Sequence, residues 1–266
     1  MKTALTIAGH DPSSGAGVTA DLLVFAAHGH FGTSAITSLT VQSTTGVRSS
    51  RPVDAEMVRD TLDCLQEDLA PDGVKIGMLA TAGIVAVVAS YLEQLRARSP
   101  KTVVVVDPVL RSSSGKELLS PDGLGALRDL LLPHADWVTP NLDELGLLSG
   151  GEVSQRNHLE PAARTLQTRL PNLNVLATGG HLDRPDDLLL QSDGTARWIP
   201  GEFIVSTSTH GTGCALSSAL LSRLLLANNP LEAATAAKLY VAEAIRRATP
   251  IGHGRGPLNH LWPLRG

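Results

Sequence analysis

The run Thr102-Val103-Val104-Val105-Val106, followed directly by Asp107-Pro108, decides the fold class of this 266-residue chain. Consecutive β-branched residues are typical of a strand buried on both faces, as the central strands of a parallel sheet are. An apolar helical segment with a basic end, residues 82–98, precedes the run, and Ser120-Pro121 begins another after it. This alternation continues along the chain. It predicts one α/β domain, residues 1–266, with a mostly parallel central sheet and helices on both faces.

The same patterns predict the remaining elements. Predicted strands cover residues 5–8, 34–41, 74–76, 102–106, 136–139, 174–177, 188–191 and 197–199. Predicted helices cover residues 20–27, 54–69, 82–98, 120–132, 213–226 and 230–247, and a short one begins at Asn141. Ligands in such sheets bind beyond the carboxyl ends of the strands. The candidate site is therefore formed by four polar or glycine-rich loops, residues 9–17, 107–115, 139–144 and 178–181.

Composition narrows the function classes. The formal charge is -4, and aromatic residues make up only 3 % of the chain, so neither a basic surface nor a set of stacking rings is available for nucleic acid. The chain has no apolar run of about 20 residues and no signal-peptide pattern, which predicts a cytoplasmic protein that does not span a membrane. Cys64 and Cys214 are too few for the disulfide framework of a small secreted domain.

The segment Thr209-His210-Gly211-Thr212-Gly213-Cys214 precedes a helix rich in small residues and has two explanations. Its glycines let the backbone approach a phosphate, and N–H groups at a helix start converge on an anion. Alternatively, it is a glycine-rich turn in which Thr209 or Thr212 caps the helix. Cys214 is either a thiol whose ionised form the helix dipole favours or a small buried apolar residue.

Two acidic segments are also open to two explanations. Asn141 and Glu144 have the spacing of a capping box, and Glu144 is equally placed to stand beside a phosphate-bound Mg²⁺. Asp107 either ends a strand before Pro108 or orients a metal ion or water near phosphates.

Taken in order, these segments resemble the hydroxymethylpyrimidine/phosphomethylpyrimidine kinases of thiamine biosynthesis, which are members of the ribokinase-like superfamily. The resemblance runs nearly end to end. The segments that carry it are 6–11 (TIAGHD), 15–18 (GAGV), 20–21 (AD), 40–47 (TVQSTTGV), 75–79 (KIGML), 107–109 (DPV), 139–141 (TPN), 179–181 (GGH), 210–214 (HGTGC), 252–254 (GHG) and 256–258 (GPL).

The resemblance implies an ATP-dependent kinase that uses Mg²⁺, acts on 4-amino-5-hydroxymethyl-2-methylpyrimidine and its monophosphate, and forms a homodimer. The substrate-binding residues that it implies are Gln42, Asp21, Gly9, Ala16 and Met78. The implied anion hole and catalytic group are Gly211, Thr212, Gly213 and Cys214, with Cys214 accepting or relaying the hydroxyl proton. The positions implied for ATP and its phosphates are Asp107, Asn141, Thr178 and Gly180, and those for the metal are Asp107 and Glu144.

The sequence departs from the family at positions expected to lie near the nucleotide. Thr178 stands where the family places a lysine, and Ser113 replaces a second lysine. The other departures are Leu110 in place of a methionine and Thr19 in place of a glutamine. Two other functions are therefore considered: a pyridoxal kinase, against which the polar Gln42 argues, and a degenerate pyrimidine-binding protein, against which Asp107 and Glu144 argue.

Overall fold

A computed structural model describes residues 1–112, 115–180, 182–227 and 229–264 of the chain. Within them a single nine-stranded sheet has the strand order β3-β2-β1-β4-β5-β6-β7-β8-β9. The strands are β1 (Thr3–His10), β2 (Phe31–Ser43), β3 (Gly46–Pro52), β4 (Gly73–Ile76), β5 (Val103–Val106), β6 (Trp137–Val138), β7 (Asn174–Ala177), β8 (Asp187–Leu190) and β9 (Ala196–Ile199). The six strands from β2 to β7 in this order pair in parallel, while β3, β8 and β9 are antiparallel to their neighbours.

Helices cover both faces of the sheet. They are α1 (Gly17–Ala27), α2 (Ala55–Asp68), α3 (Ala82–Arg98), α4 (Pro121–Ala126), α5 (Leu142–Ser149), α6 (Arg156–Arg169), α7 (Thr212–Leu225) and α8 (Pro230–Arg246). One apolar core includes residues of α2, α3, α5 and α6, and a second lies against α1, α7 and α8. Strand β5 contributes to both cores, Val104 and Val106 to the first and Val105 to the second, as its β-branched run predicts. Among the described residues, we find no helix that is both long and apolar enough to span a bilayer.

The predicted single α/β sheet with helices on both faces is confirmed, and Asp54 caps α2 as expected, accepting a hydrogen bond from the Glu56 N–H at 2.9 Å. Two elements were not predicted. β3 forms an antiparallel hairpin with the end of β2, although its sequence is polar and largely exposed. Helix α6 lies in a stretch interpreted as polar, and it buries only Leu159, Ala163 and Leu166, whose spacing of four and three is nevertheless helical.

The helix predicted over residues 120–132 is interrupted. The α-helical part ends at Ala126, a π-helical turn follows over Leu127–Leu131, and a 3-10 turn covers Leu132–His134. Pro133 lacks the N–H that a regular helix would need, so the last turn cannot continue as an α-helix. Ser120, expected to cap the helix, makes no side-chain cap hydrogen bond.

Candidate active site

The start of α7 is built for close backbone approach. Gly211 is its N-cap and has φ +85°, a left-handed conformation that favours glycine. A Cβ at Gly211 would overlap the carbonyl oxygen of Gly15, so the loop after β1 packs directly on this turn. No side-chain cap hydrogen bond is made here, so the explanation in which Thr209 or Thr212 caps the helix is wrong. The first N–H groups of a 14-residue helix therefore give this turn a partial positive charge.

Asp107 faces this helix start from the end of β5. Its side chain is almost fully buried and accepts a hydrogen bond from Ser217 Oγ of α7 at 3.2 Å. A Cβ placed on Gly213 would stand 3.8 Å from Asp107 Oδ2, which leaves a narrow space between helix and carboxylate. Burial raises the pKa of Asp107, against the attraction of Lys75. The arrangement pairs a partly positive helix end with an acid whose ionisation is opposed by burial even with Lys75 close by.

A buried ion pair lies beneath Asp107. Lys75 Nζ donates to Asp21 Oδ2 at 2.9 Å and lies 4.0 Å from Asp107 Oδ2, and the Lys75 side chain has no exposed surface. Burial opposes the ammonium form, but Asp21 first and then Cys214 and Asp107 raise the pKa of Lys75 well above its usual range. Lys75 therefore carries a permanent positive charge under the site, although it does not extend into the site.

Asp21 lies deeper than the resemblance implies. Its carboxylate accepts hydrogen bonds from Thr6 Oγ1 at 2.5 Å and Ser218 Oγ at 2.7 Å besides the one from Lys75, and it is fully buried. These three donors occupy a side chain that was expected to contact substrate. The structure places Asp21 under the site, where it holds Lys75.

Cys214 lies in the first turn of α7, half-buried and near the Asp107 carboxyl group, whose charge raises the pKa of the Cys214 thiol. Burial raises the pKa of Cys214 to about 12, and the charges of Asp107 and Asp21 act in the same direction against Lys75. These effects oppose the ionised thiol that the helix dipole was expected to favour. Loss of water and two neighbouring carboxylates outweigh the helix end.

Both explanations of Glu144 have support in the structure. Asn141 Oδ1 accepts from the Glu144 N–H and Glu144 Oε2 accepts from the Asn141 N–H, each at 2.9 Å, which is a complete capping box. Burial, and next the charge of Asp107, raise the pKa of Glu144 to about 8. The same carboxyl group thus caps α5 and forms an acidic pair with Asp107.

The two carboxyl groups of Asp107 and Glu144 suit a cation that takes most of its ligands from phosphate and water and few from the protein. Within the described part of the chain, no three His, Cys, Asp or Glu side chains are grouped to hold a metal ion by themselves. Thr139 Oγ1, at the end of β6, is buried without a hydrogen-bond partner. Mg²⁺ is commonly bound by one or two carboxylates together with phosphate oxygens and water. Asp107 and Glu144 are a suitable set of that kind.

The implied substrate pocket lies beside the loop after β1. A Cβ at Gly9 would come within 2.9 Å of Met78 Sδ, so Gly9 and the buried Met78 are in close contact. Ala16 N–H donates to Asp11 Oδ2 at 3.0 Å. Gln42 Nε2 lies 3.0 Å from His210 Nε2, and His210 immediately precedes Gly211. The structure therefore brings Gln42 to the edge of the turn at the start of α7.

Asp11 and His210 are residues whose roles the sequence interpretation missed. His210 Nε2 lies 2.7 Å from Asp11 Oδ2, which ties the loop after β1 to the start of α7. A buried aspartate directly after the carboxyl end of a strand was the signal that could have identified this contact.

The loop after β7 lies next to the capping box. Thr178 is half-buried, and its N–H donates to Pro140 O at 2.9 Å, while Gly180 is exposed. Gly179 N–H donates to Asp187 Oδ1 at 2.9 Å, and Asp187 Oδ2 pairs with Lys238 Nζ at 2.8 Å. His181 and Ser113, two positions of the sequence argument, lie outside the described residues.

Comparison with known proteins places this site in context. The profile of the family described as Phosphomethylpyrimidine kinase matches residues 11–259. The hydroxymethylpyrimidine/phosphomethylpyrimidine kinase of Rhizobium meliloti (strain 1021) is 40 % identical over 262 residues, which are 97 % of this chain and 96 % of that protein. The thiamine biosynthesis bifunctional protein ThiED of Geobacter sulfurreducens is also 40 % identical over 97 % of this chain, which spans only 52 % of that longer protein.

Two solved structures have the same fold. The pyridoxal kinase from Staphylococcus aureus in complex with AMP-PCP and pyridoxal has a TM-score of 0.86 at 30 % identity, covering 98 % of this chain and 94 % of its own. The phosphomethylpyrimidine kinase from Clostridium difficile 630 has a TM-score of 0.79 at 33 % identity, covering 92 % of this chain and 100 % of its own.

Proposed function

Because this chain belongs to the phosphomethylpyrimidine kinase family, we propose that it phosphorylates 4-amino-5-hydroxymethyl-2-methylpyrimidine with ATP. We extend the proposal to a second transfer, onto the resulting monophosphate, in the synthesis of thiamine diphosphate. One observation carries it: the Gln42 amide lies 3.0 Å from His210, the residue before the anion-binding turn at Gly211. A ring held by Gln42 would thus lie beside the turn that can hold the transferring phosphoryl group.

The start of α7 would stabilise the transferring group. Charge spreads over the phosphoryl oxygens in the transition state, so catalysis depends mainly on positioning and on preorganised positive charge. The N–H groups over residues 212–214 and the α7 dipole would supply that charge at short range. Lys75, buried below Asp107, would add a fixed positive charge without contacting substrate.

Cys214 would act as a proton relay, since burial holds its thiol in the neutral form. As the substrate oxygen forms its bond to the γ-phosphorus and the bond to ADP breaks, the hydroxyl proton would pass to Cys214 Sγ. The thiol proton would move at the same time to a carboxylate oxygen of Asp107, the nearby acid whose charge raises the pKa of the thiol. The proton count then balances without a free thiolate.

Asp107 and Glu144 would hold Mg²⁺ near the phosphates, directly or through water, and Asn141, Thr178 and Gly180 would line the nucleotide side of the site. When bound, the metal ion would neutralise phosphate charge. Asp107 and Glu144 would contribute their carboxylate oxygens, and the raised pKa of Glu144 means that a bound cation would favour its ionised form.

The proposal also includes a homodimer in the cytoplasm, where ATP is available. The end of the β2–β3 hairpin supports self-association, because Leu39 and Val41 are 53 % and 57 % exposed on it. Sedimentation of the purified protein would test this part.

The activity is tested by incubating the protein with Mg·ATP and the pyrimidine, followed by mass analysis of the products. We expect masses corresponding to addition of one and then two phosphoryl groups, and no product when EDTA replaces Mg²⁺. Cys214→Ala, assayed in parallel, shows whether the product forms at this site. A wild-type protein that binds the pyrimidine and yields no phosphorylated product would contradict the proposal.

Pyridoxal phosphorylation is a second candidate function. The pyridoxal kinase of Staphylococcus aureus has the higher TM-score of the two solved structures, 0.86 against 0.79. Gln42 favours the pyrimidine, because an aminopyrimidine edge offers a donor beside an acceptor, which an amide can pair with. Steady-state assays with both compounds would rank them, and we expect the larger kcat/KM for the pyrimidine.

A further inference from the structure

Gln42 belongs to a hydrogen-bonded chain that leads away from the pocket. Gln42 Nε2 lies 3.0 Å from His210 Nε2, and the same ring nitrogen lies 2.7 Å from Asp11 Oδ2. At the other end of the amide, Thr40 Oγ1 lies 3.2 Å from Gln42 Oε1 and donates to His10 O at 3.0 Å. One ring nitrogen thus faces two polar groups, and the hydroxyl of Thr40 meets the opposite end of the same amide.

A ring nitrogen carries either a proton or a lone pair, so it cannot donate to Asp11 and accept from Gln42 at once. Burial disfavours the Asp11 carboxylate, but hydrogen bonds from His210 and Ser13 hold its pKa below its usual range. An ionised Asp11 only accepts hydrogen bonds, so the facing His210 nitrogen must be the protonated one. The Gln42 amide atom that faces this nitrogen must then be an acceptor, which is the carbonyl oxygen and not the NH₂ group.

The amide satisfies every partner after a half-turn about its terminal bond. Its oxygen then shares the one Nε2–H of His210 with Asp11 Oδ2 in a three-centre bond, and its NH₂ group donates to Thr40 Oγ1, whose own proton is already given to His10 O. Each end of the amide keeps capacity for one more bond, an acceptor site on the oxygen and a second N–H. The protein contacts thus select one of two orientations that would otherwise be close in energy.

We propose that His210, oriented by Asp11, is a specificity-determining positioning residue that fixes the order of donor and acceptor which Gln42 presents to the pyrimidine. This inference rests on the proposed function. An amide fixed in one orientation presents its acceptor on one side and its donor on the other. It therefore pairs with a ring edge whose amino group and ring nitrogen match these two sides, and it rejects a ring edge in which they are exchanged. Replacing His210 would release the amide and weaken pyrimidine binding, while the anion-binding turn would keep its backbone contacts with Gly15.

The test measures KM for the pyrimidine and for ATP in His210→Phe, Gln42→Met and the double variant. His210→Phe keeps a planar ring packed against Gly15. The present His210 ring fills this space so closely that a Cβ at Gly15 would overlap it. We expect it to raise KM for the pyrimidine about tenfold, the effect of one misplaced hydrogen-bonding group. KM for ATP and the melting temperature should change little. In the Gln42→Met background, the His210 substitution should add nothing.

Two further variants sharpen the test. His210→Gln retains a donor N–H and should recover most of the pyrimidine KM, whereas Ser13→Ala removes a different donor to Asp11 and should match the wild type. Additive effects in the double variant, an equal rise in KM for ATP, or failure of His210→Gln to recover would each overturn the inference. A wild-type protein without activity on the pyrimidine would overturn the proposed function and this inference together, whereas additive variants of an active protein overturn the inference alone.

Discussion

Cys214 shows how the surroundings of a single residue change the chemistry expected of it. The motif places a thiol at a helix start, where a lowered pKa is the usual expectation. In the fold, burial together with Asp107 and Asp21 raises the pKa of Cys214 to about 12. A base role would require a thiolate, whereas the proposed relay requires only a thiol with a proton acceptor close by, and Asp107 is the acceptor that we propose.

Replacing Cys214 with alanine should therefore lower kcat by about 10²–10⁴-fold, because a positioned proton-transfer group contributes that much. Cys214→Ser should retain part of the rate, since a hydroxyl can also pass a proton to Asp107. Pyrimidine binding, measured by calorimetry, should stay close to the wild type. Alkylation gives the control: iodoacetamide should modify the exposed Cys64 well before Cys214. Rapid labelling of Cys214 at neutral pH, or a wild-type rate for Cys214→Ala, would contradict the relay.

At the scale of single residues, the motifs predicted which side chains are brought together. They did not predict the protonation state, the depth or the contacts of each side chain. The structure places Gln42, Gly211, Asp107 and Glu144 around one edge of the sheet, but only Asp107 and Glu144 lie in the four loops predicted to meet there. The depth of Asp21 and the contact of His210 with Gln42 depend on packing between segments more than 150 residues apart, 168 in the second case. Spacing along the chain does not determine such contacts.

At the scale of elements, the start of α7 offers a contrast between two glycines. Gly211 cannot accept a side chain, because its φ is +85° and a Cβ would overlap the carbonyl oxygen of Gly15. Gly213 lies within the helix, and a Cβ there would meet only the Asp107 carboxylate at 3.8 Å and 4.0 Å, an ordinary contact distance. The space between Gly213 and Asp107 could therefore hold a methyl group without disturbing the packing of the fold.

Gly213→Ala should keep or slightly raise the melting temperature, because alanine is favoured over glycine inside a helix by up to about 1 kcal/mol. Its methyl group would occupy the space between helix and carboxylate, so KM for ATP should rise or kcat fall by about tenfold or more. Gly211→Ala is the matched control and should destabilise the fold itself. A Gly213→Ala variant with unchanged kinetics would show that phosphate does not occupy this space.

The loop after β7 carries Thr178, where the resemblance implies a lysine that faces the ATP phosphates. Lys75 cannot replace the missing lysine because it is fully buried, and Lys238 is paired with Asp187. Thr178→Lys should therefore lower KM for ATP or raise kcat, by up to about tenfold if the ammonium group meets phosphate in a water-poor site. Thr178→Met has a similar length without the charge and should give no gain. Unchanged or poorer kinetics in a folded Thr178→Lys protein would mean that the site functions around threonine.

Elements with a clear hydrophobic period were predictable, and those stabilised by their neighbours were not. The β5 run and helix α3 follow directly from sequence pattern. The π-helical turn at Leu127–Leu131 and the polar strand β3 have no such pattern. β3 forms because the edge of β2 offers it a hydrogen-bonding partner, a tertiary effect that outweighs its local preference.

At the scale of the whole molecule, the ribokinase-like fold expected from the resemblance is confirmed by the solved structures of its relatives. The fold gathers buried carboxyl groups at the edge of the sheet where its parallel strands end. Burial raises the pKa values of Asp107 and Asp187 as well as that of Glu144. The ionisation of such buried groups lowers the stability of the folded protein, so this stability should depend on pH.

The sign of that dependence follows from proton counts. Glu144 in the folded protein keeps its proton to about pH 8, whereas the unfolded chain releases it near 4.5. Between these values the folded state binds more protons, so the free energy of unfolding should fall as pH rises. His28 acts in the opposite direction at lower pH, because burial lowers its pKa from 6.5 to about 4. Its contribution ends near pH 6.5, so between about 6.5 and 8 the slope depends on the buried carboxyl groups with raised pKa values, Glu144 among them.

We therefore expect the free energy of unfolding to decrease by about 1–2 kcal/mol between pH 6.5 and 8, the amount that one retained proton can contribute over this interval. Glu144→Gln should flatten this slope, because a glutamine at the third position of α5 keeps the hydrogen bond to the Asn141 N–H but has no proton to lose. Urea unfolding of both proteins at several pH values, without nucleotide or metal, measures the difference directly. A flat wild-type profile would contradict the raised pKa of Glu144. A slope that survives in Glu144→Gln would assign the retained proton to another buried carboxyl group, Asp107 or Asp187.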